Sequence, residues 1–106
     1  MGMGLDGHTA SWFPNSNGLN TALDPRNKRT VVAINANGCE VAGEHTDRIS
    51  LTYSSVIESR NILLLVPGDE KAKVFNSSIN NTKFNTPVKA LLSASDRLTV
   101  ITCGNV

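Results

Sequence analysis

The sequence has 106 residues, of which 40% are hydrophobic and 18% are charged, and its formal net charge at pH 7 is +1. This length suffices for one small domain but lies near the lower limit for a self-sufficient α/β core. The near-neutral charge lacks the basic excess typical of nucleic-acid binding. No run approaches the roughly 18 apolar residues of a membrane span, and no leader pattern opens the chain. We therefore expect a cytoplasmic protein with neither a nucleic acid nor a membrane as partner.

The first segment of the chain combines backbone freedom with chemistry. Three glycines, an acid and a histidine fall within residues 2–8, Gly-Met-Gly-Leu-Asp-Gly-His. Glycine tolerates positive φ and lets backbone N–H groups approach a ligand closely. An imidazole can take a proton near neutral pH, and a carboxylate two residues away can hold its tautomer. Composition alone leaves two interpretations open, a tight ligand-binding loop and an ordinary turn with a solvated histidine.

Residues 15–20 are rich in Asn, Ser and Gly and predict a polar connection. Residues 30–34 form a short β-branched run, which is typical of a strand buried on both faces. The polar, glycine-containing residues 35–47 predict an irregular excursion or a short hairpin around Asn37-Gly38.

Residues 48–52 alternate apolar and polar side chains, as a strand does. Tyr53, Val56 and Ile57 follow at helical spacing and predict a short helix. Residues 61–66 are the most apolar run of the chain and end at Pro67-Gly68, which predicts a central strand.

Asp69 and Glu70 are acids, which are favoured at a helix N-terminus, so we predict that a helix begins there. We expect this helix to fray within residues 76–82. Pro87 predicts the start of another short helix, and residues 98–102 predict the last strand. Strands that alternate with helices favour an α/β domain. We expect all four strands in one mostly parallel sheet, a partial doubly wound (Rossmann-like) arrangement with flanking helices and a ligand crevice at the strands' carboxyl ends.

Cys39 and Cys103 lie far apart and lack the spacing of metal ligands. We predict two buried free thiols rather than a disulfide, and neither a metal nor a cofactor.

Residues 2–14, Gly-Met-Gly-Leu-Asp-Gly-His-Thr-Ala-Ser-Trp-Phe-Pro, resemble the active-site loop of the 6-phosphogluconolactonases. Those enzymes share a superfamily with the glucosamine-6-phosphate deaminases. Residues 48–52 are similar to the family's Arg-Ile-Thr-Leu-Thr strand, and residues 61–72 are similar to its strand that ends in Gly-x-x-Lys-Ala. The resemblance implies that residues 1–106 form a single unit, the C-terminal half of the family domain.

By resemblance, the reaction is hydrolysis of 6-phospho-D-glucono-1,5-lactone to 6-phosphogluconate, in the pentose phosphate pathway, without a metal. The resemblance implies that His8 is the catalytic base and that Lys71 contacts the substrate's phosphate. We expect Asp6 to orient His8.

Backbone N–H groups of the turn that contains Gly2, Gly4 and Gly7 are expected to face the substrate's developing oxyanion. Arg48 is expected either to bind the substrate or to pair with Asp47 or Glu44 at the start of its strand.

Two alternatives stay open. The first is a glucosamine-6-phosphate deaminase/isomerase, whose loop carries a glutamate where this chain has Phe13. The second is a non-catalytic fragment that serves as a binding or oligomerising domain, since the family's N-terminal half does not appear in the sequence. A partial sheet leaves an unpaired edge, so we expect either a homodimer or pairing with that N-terminal half.

Overall fold

The computed structural model describes residues 1–80 and 86–104. The elements follow in the order α1 (Leu19–Leu23), β1 (Val31–Asn35), a 3-10 turn (Glu40–Ala42), β2 (Asp47–Leu51), α2 (Tyr53–Ile57), β3 (Ile62–Pro67), α3 (Asp69–Asn80), a 3-10 segment (Pro87–Ala94) and β4 (Leu98–Cys103).

Strands β3 and β4 run parallel, in register from Ile62 opposite Leu98 to Pro67 opposite Cys103. They are consecutive strands with α3 between them, as parallel pairing requires. On the other edge of β3, the Leu65 N–H donates to the Met1 carbonyl at 2.8 Å, and Gly2 forms a parallel bridge with Leu65. The prediction that residues 61–66 form a central strand is therefore confirmed, as is the α/β, Rossmann-like class.

Strands β1 and β2 correct one part of that prediction. They pair antiparallel, from Val31 opposite Leu51 to Asn35 opposite Asp47, and form a two-stranded sheet of their own. The expectation that residues 30–34 and 48–52 join one mostly parallel sheet is therefore wrong. The physical reason is the connection, which holds a turn at Asn37-Gly38 and a single 3-10 turn. It returns the chain antiparallel because it lacks the crossover helix that usually joins parallel neighbours.

Helix α1 was not predicted, because residues 15–20 have the composition of a turn. Its N-cap, Gly18, has a left-handed φ of 98° and lies so close to β1 that a β-carbon there would meet the Ala33 carbonyl oxygen at 2.6 Å. Asn17 forms an isolated antiparallel bridge with Asn35. Tertiary packing against β1 therefore forms this helix where local composition indicates a loop.

The predicted helices at Tyr53–Ile57, from Asp69 and from Pro87 are confirmed, the last as a 3-10 segment. Helix α3 continues to Asn80, and the rest of the stretch expected to fray lies outside the described residues.

The core joins the N-terminal loop to both sheets. Trp12, Phe13, Leu64, Val88 and Leu91 are at most 1% exposed. The Trp12 indole N–H also donates to the Leu51 carbonyl at 2.8 Å, which fixes the loop to the end of β2.

Both cysteines are free thiols, as predicted. Cys39 is half-buried and Cys103 is exposed, so the expectation that both are buried is wrong. Cys103 is the last residue of β4, where little of the chain covers the strand.

One face of the parallel sheet is uncovered. Side chains alternate along β3, so Ile62, Leu64 and Val66 are buried whereas Leu63 and Leu65 are each 51% exposed. Ile101 stands opposite Leu65 on β4 and is 46% exposed on the same face. Parallel sheets are normally covered on both faces. The apolar face formed by Leu63, Leu65 and Ile101 is called the open face below.

Candidate active site

The N-terminal loop, the carboxyl end of β3 and the first turn of α3 line an open cavity of about 700 Å³. Its walls are residues 2–5, His8 and Ala10 of the loop, Leu65 and Pro67 of β3, Lys71 of α3 and Val41 of the first 3-10 turn. The cavity occupies the position expected for a ligand crevice in an α/β sheet, beyond the carboxyl end of a parallel strand.

His8 and Asp6 form the polar centre of the loop. The imidazole Nδ1 is hydrogen-bonded to Asp6 Oδ1, and the same oxygen accepts the His8 backbone N–H at 3.1 Å. The two side chains are 19% and 24% exposed, respectively, so the pair is partly shielded from water. An ionised carboxylate at Nδ1 favours the tautomer that carries its proton there, which leaves Nε2 with a free lone pair. Among the described residues, Nε2 has no hydrogen-bond partner.

Gly4 makes room for this pair. A β-carbon at position 4 would lie 2.2 Å from His8 Cε1 and 2.8 Å from Asp6 Oδ1. The Gly4 N–H donates to the His8 carbonyl at 2.9 Å, so the loop closes directly on the histidine. Thr9, which is fully buried, holds the start of the loop by donating to the Gly2 carbonyl at 2.6 Å.

Gly7 does not line the cavity and instead packs against residues 86–88. It is buried with a φ of 84°, its carbonyl accepts the Val88 N–H at 2.9 Å, and a β-carbon would meet Thr86 at 2.5 Å. Its N–H donates to the Gly4 carbonyl at 3.0 Å. The N–H groups of Gly4 and Gly7, two of those expected to face an oxyanion, are thus engaged within the loop, whereas Gly2 lines the cavity.

Lys71 reaches the cavity from the first turn of α3 and is half-buried. Gly68, with a φ of 88°, turns the chain from β3 into this helix, and its N–H is bonded to the Cys103 carbonyl at 3.2 Å. The first turn of a helix presents unpaired N–H groups and a partial positive charge. Asp69 and Glu70 in the same turn are exposed. His8 and Lys71, which are distant in sequence, therefore line one cavity.

Arg48 is not among the residues that line the cavity. Its guanidinium carbon is 5.2 Å from the centroid of the Phe13 ring, and the His8 ring contacts the same Phe13 ring, with the two centroids 4.4 Å apart. Arg48 Nε donates to the His45 carbonyl at 2.6 Å, and Nη2 donates to the Ala42 carbonyl at 3.3 Å. Within the described residues, no carboxylate forms an ion pair with Arg48, so the expected pairing with Asp47 or Glu44 is not found.

Val41 belongs to the cavity wall although no sequence pattern indicated it. It follows Glu40 in a segment for which the sequence predicts irregular polar structure. Its side chain lines the cavity and is 53% exposed. Only the antiparallel pairing of β1 with β2 brings this segment beside the N-terminal loop.

Residues 1–80 and 86–104 contain no group of three or more histidines, cysteines or acids suited to a metal ion. Within those same ranges, no helix is both long and apolar enough to traverse a bilayer.

The sequence profile of the glucosamine-6-phosphate isomerases/6-phosphogluconolactonase family matches residues 1–100. The chain is 35% identical to a 6-phosphogluconolactonase of Mesorhizobium japonicum, over 92% of this chain and 38% of the relative. It is 37% identical to a 6-phosphogluconolactonase of Rhizobium meliloti, over 87% of this chain and 38% of that relative.

Solved structures agree with these sequence matches. The crystal structure of a 6-phosphogluconolactonase from Shewanella baltica superposes with a TM-score of 0.78 at 31% identity, covering 99% of this chain and 42% of that one. The chain thus spans about two fifths of the length of these relatives. The matched residues include the whole cavity lining, from Gly2 to Lys71. This chain belongs to the glucosamine-6-phosphate isomerase/6-phosphogluconolactonase family.

Proposed function

We propose that this chain provides the acid–base side of a 6-phosphogluconolactonase active site, which hydrolyses 6-phospho-D-glucono-1,5-lactone. The observation that carries the proposal is the His8–Asp6 pair, whose histidine lines a cavity that Lys71 also lines. The lactonase names of the relatives favour this substrate class.

In the proposed mechanism, His8 Nε2 takes a proton from the water that attacks the lactone carbonyl. A new C–O bond forms, and the ring C–O bond then breaks. The imidazolium returns the proton to the departing ring oxygen, so that His8 acts first as general base and then as general acid. Asp6 holds the ring in the required tautomer and stabilises the imidazolium. The expected contribution of such a group is about 10²- to 10⁴-fold in rate.

Lys71 is proposed as a contact for the substrate's phosphate. Lys71 lines the cavity and carries a positive charge, which favours a bound anion. It lies in the first turn of α3, where the helix adds a partial positive charge. The exposed carboxylates of Asp69 and Glu70 oppose this attraction but are not part of the cavity wall.

Phe13 argues against the deaminase alternative. It is 1% exposed and lies against the imidazole of His8. A phenylalanine cannot relay protons, which ring opening of an amino sugar requires beyond a single base. We therefore favour lactone hydrolysis as the reaction.

The cavity adjoins the open face, because Leu65 belongs to both. We propose that the remaining part of the family domain, which the longer relatives possess, covers Leu63, Leu65 and Ile101 and completes the site. A homodimer is the competing occupant. The chain without that part is expected to be a poor lactonase, since loss of substrate positioning can remove several kcal/mol of barrier lowering.

The test combines this chain with the N-terminal three fifths of the Mesorhizobium japonicum relative, by co-expression. Hydrolysis of the phosphorylated lactone is followed after correction for spontaneous hydrolysis, with unphosphorylated gluconolactone as the comparison substrate. The proposal predicts turnover by the combined protein, a preference for the phosphorylated lactone and little turnover by either part alone. A well-folded complex without hydrolysis would reject the proposed function and favour the non-catalytic alternative.

A further inference from the structure

We propose that Arg48 is a positioning residue for His8, acting through the ring of Phe13. The inference rests on the proposed function for its kinetic consequence, but its structural part concerns the orientation of the imidazole and is measurable without catalysis.

The first observation is that the ring of Phe13 contacts both Arg48 and His8. The guanidinium of Arg48 lies 5.2 Å from the centroid of Phe13, and Phe13 lies 4.4 Å from the centroid of His8, with the two rings inclined at 32°. Phe13 is 1% exposed, so its ring has little room to move independently of either neighbour. Asp6 holds Nδ1 of His8, and the ring of Phe13 lies against the imidazole.

The second observation is how Arg48 itself is held. Its Nε and Nη2 donate to the carbonyls of His45 and Ala42, at 2.6 and 3.3 Å. These hydrogen bonds keep the planar guanidinium facing the aromatic ring, which suits the rigid geometry of arginine. They also fix the segment whose Val41 forms part of the cavity wall.

The third observation is that Arg48 borders a different groove from the one that contains His8. That groove runs along the hairpin and is lined by Asn17, Ala33 and Ile49 among others. Arg48 therefore reaches the His8 cavity only through Phe13 and through the segment that it holds, which is the arrangement of a support rather than of a substrate ligand.

Arg97 offers a matched control. It is also half-buried, and its Nη1 donates to two backbone carbonyls, those of Ile57 and Ser59, each at 2.6 Å. Arg97 immediately precedes β4, and its carbonyl accepts the N–H of Ile62, the first residue of β3. It therefore lies at the amino ends of the two parallel strands, whereas the cavity lies at the carboxyl end of β3. Arg97→Met therefore removes comparable hydrogen bonds to the backbone without removing any contact of Arg48, Phe13 or His8.

The structural test is NMR of the imidazole nitrogens and protons in the isotope-labelled chain, with the indole N–H of Trp12 as the reporter of an intact fold. Arg48→Met is expected to shift and broaden the His8 ring signals while the Trp12 signal stays in place, and Arg48→Lys is expected to restore them in part. Arg97→Met should leave the His8 signals unchanged. The effect of Arg48→Met on the His8 signals should also disappear when Phe13 is replaced by Leu, since the aromatic ring that connects the two residues is then absent.

The kinetic test uses the same variants in the complex with the complementary part of the family domain. A positioning role predicts that Arg48→Met lowers kcat by about 10- to 100-fold, a range that follows from a small misplacement of a catalytic group, with KM nearly unchanged. A direct substrate contact would instead appear mainly in KM. The proposal is overturned by His8 signals that do not respond to Arg48→Met, or by equal responses to Arg48→Met and Arg97→Met. Should the unsubstituted complex prove inactive, the proposed function fails, and the NMR result still decides the role of Arg48.

Discussion

Gly4 lies against the imidazole of His8 so closely that a β-carbon at position 4 would sit 2.3 Å from Nδ1. No real β-carbon tolerates that separation, so any other residue at position 4 must displace the ring or the loop. The absence of a side chain at Gly4 is what allows His8 and Asp6 to meet.

Gly4→Ala is therefore expected to move His8 away from Asp6 and to lower kcat by about 10- to 100-fold, because a small displacement of a catalytic group is costly. The measurement is lactone turnover, together with the NMR signals of the His8 ring. Gly2→Ala is the control for the His8 signals alone, since no atom lies within 4 Å of a β-carbon at position 2. Equal effects of the two substitutions on the His8 signals would contradict this account of the loop.

Lys71→Ala is expected chiefly to raise KM for the phosphorylated lactone, because the substitution removes a positive charge from the cavity and leaves the His8–Asp6 pair intact. Steady-state kinetics measure the effect. Lys73→Ala, an exposed lysine of the same helix, should change neither constant appreciably. A large fall in kcat with constant KM after Lys71→Ala would assign the lysine to the chemical step instead.

The two faces of β3 are expected to respond differently to truncation. Leu64 is fully buried, so Leu64→Ala should reduce the free energy of unfolding by about 2–5 kcal/mol. The neighbouring Leu63 is 51% exposed. Leu63→Ala should therefore change the free energy of unfolding of the chain alone by less than about 1 kcal/mol. Denaturant unfolding at low protein concentration measures both. Similar losses at the two positions would mean that the open face is already covered.

The open face predicts the behaviour of the chain in solution. Without a covering partner, the chain should elute as more than a monomer in size-exclusion chromatography with light scattering, since exposed apolar sheet surface favours self-association. Leu63→Lys with Ile101→Lys should restore a monomer and should also weaken binding of the complementary part. A monomeric unsubstituted chain would remove the reason to expect a partner at this face.

Local pattern predicted those features that depend on neighbouring residues. The apolar run at residues 61–66 and the Pro67-Gly68 signal located β3, and the acids Asp69 and Glu70 located the start of α3. Periodicity does not encode strand direction, so the antiparallel pairing of β1 with β2 was missed.

The same limit explains why the presence of Val41 at the site and the contacts of Arg48 were not predicted. Val41 and Arg48 take their places from the hairpin that β1 and β2 form, and not from any motif. The sequence left Arg48 either as a substrate ligand or as a partner of Asp47 or Glu44. Its contacts with Phe13, Ala42 and His45 depend on a fold that the strand motif alone does not specify.

The most direct test of His8 as the general base is the turnover of His8→Ala, measured in the complex with the complementary part of the family domain. We expect a fall of about 10²- to 10⁴-fold in lactonase kcat, the usual contribution of a general base. His45→Ala is the matched control, because that exposed histidine contributes only its backbone carbonyl to Arg48. Unchanged turnover in His8→Ala, after correction for spontaneous hydrolysis, would contradict the account.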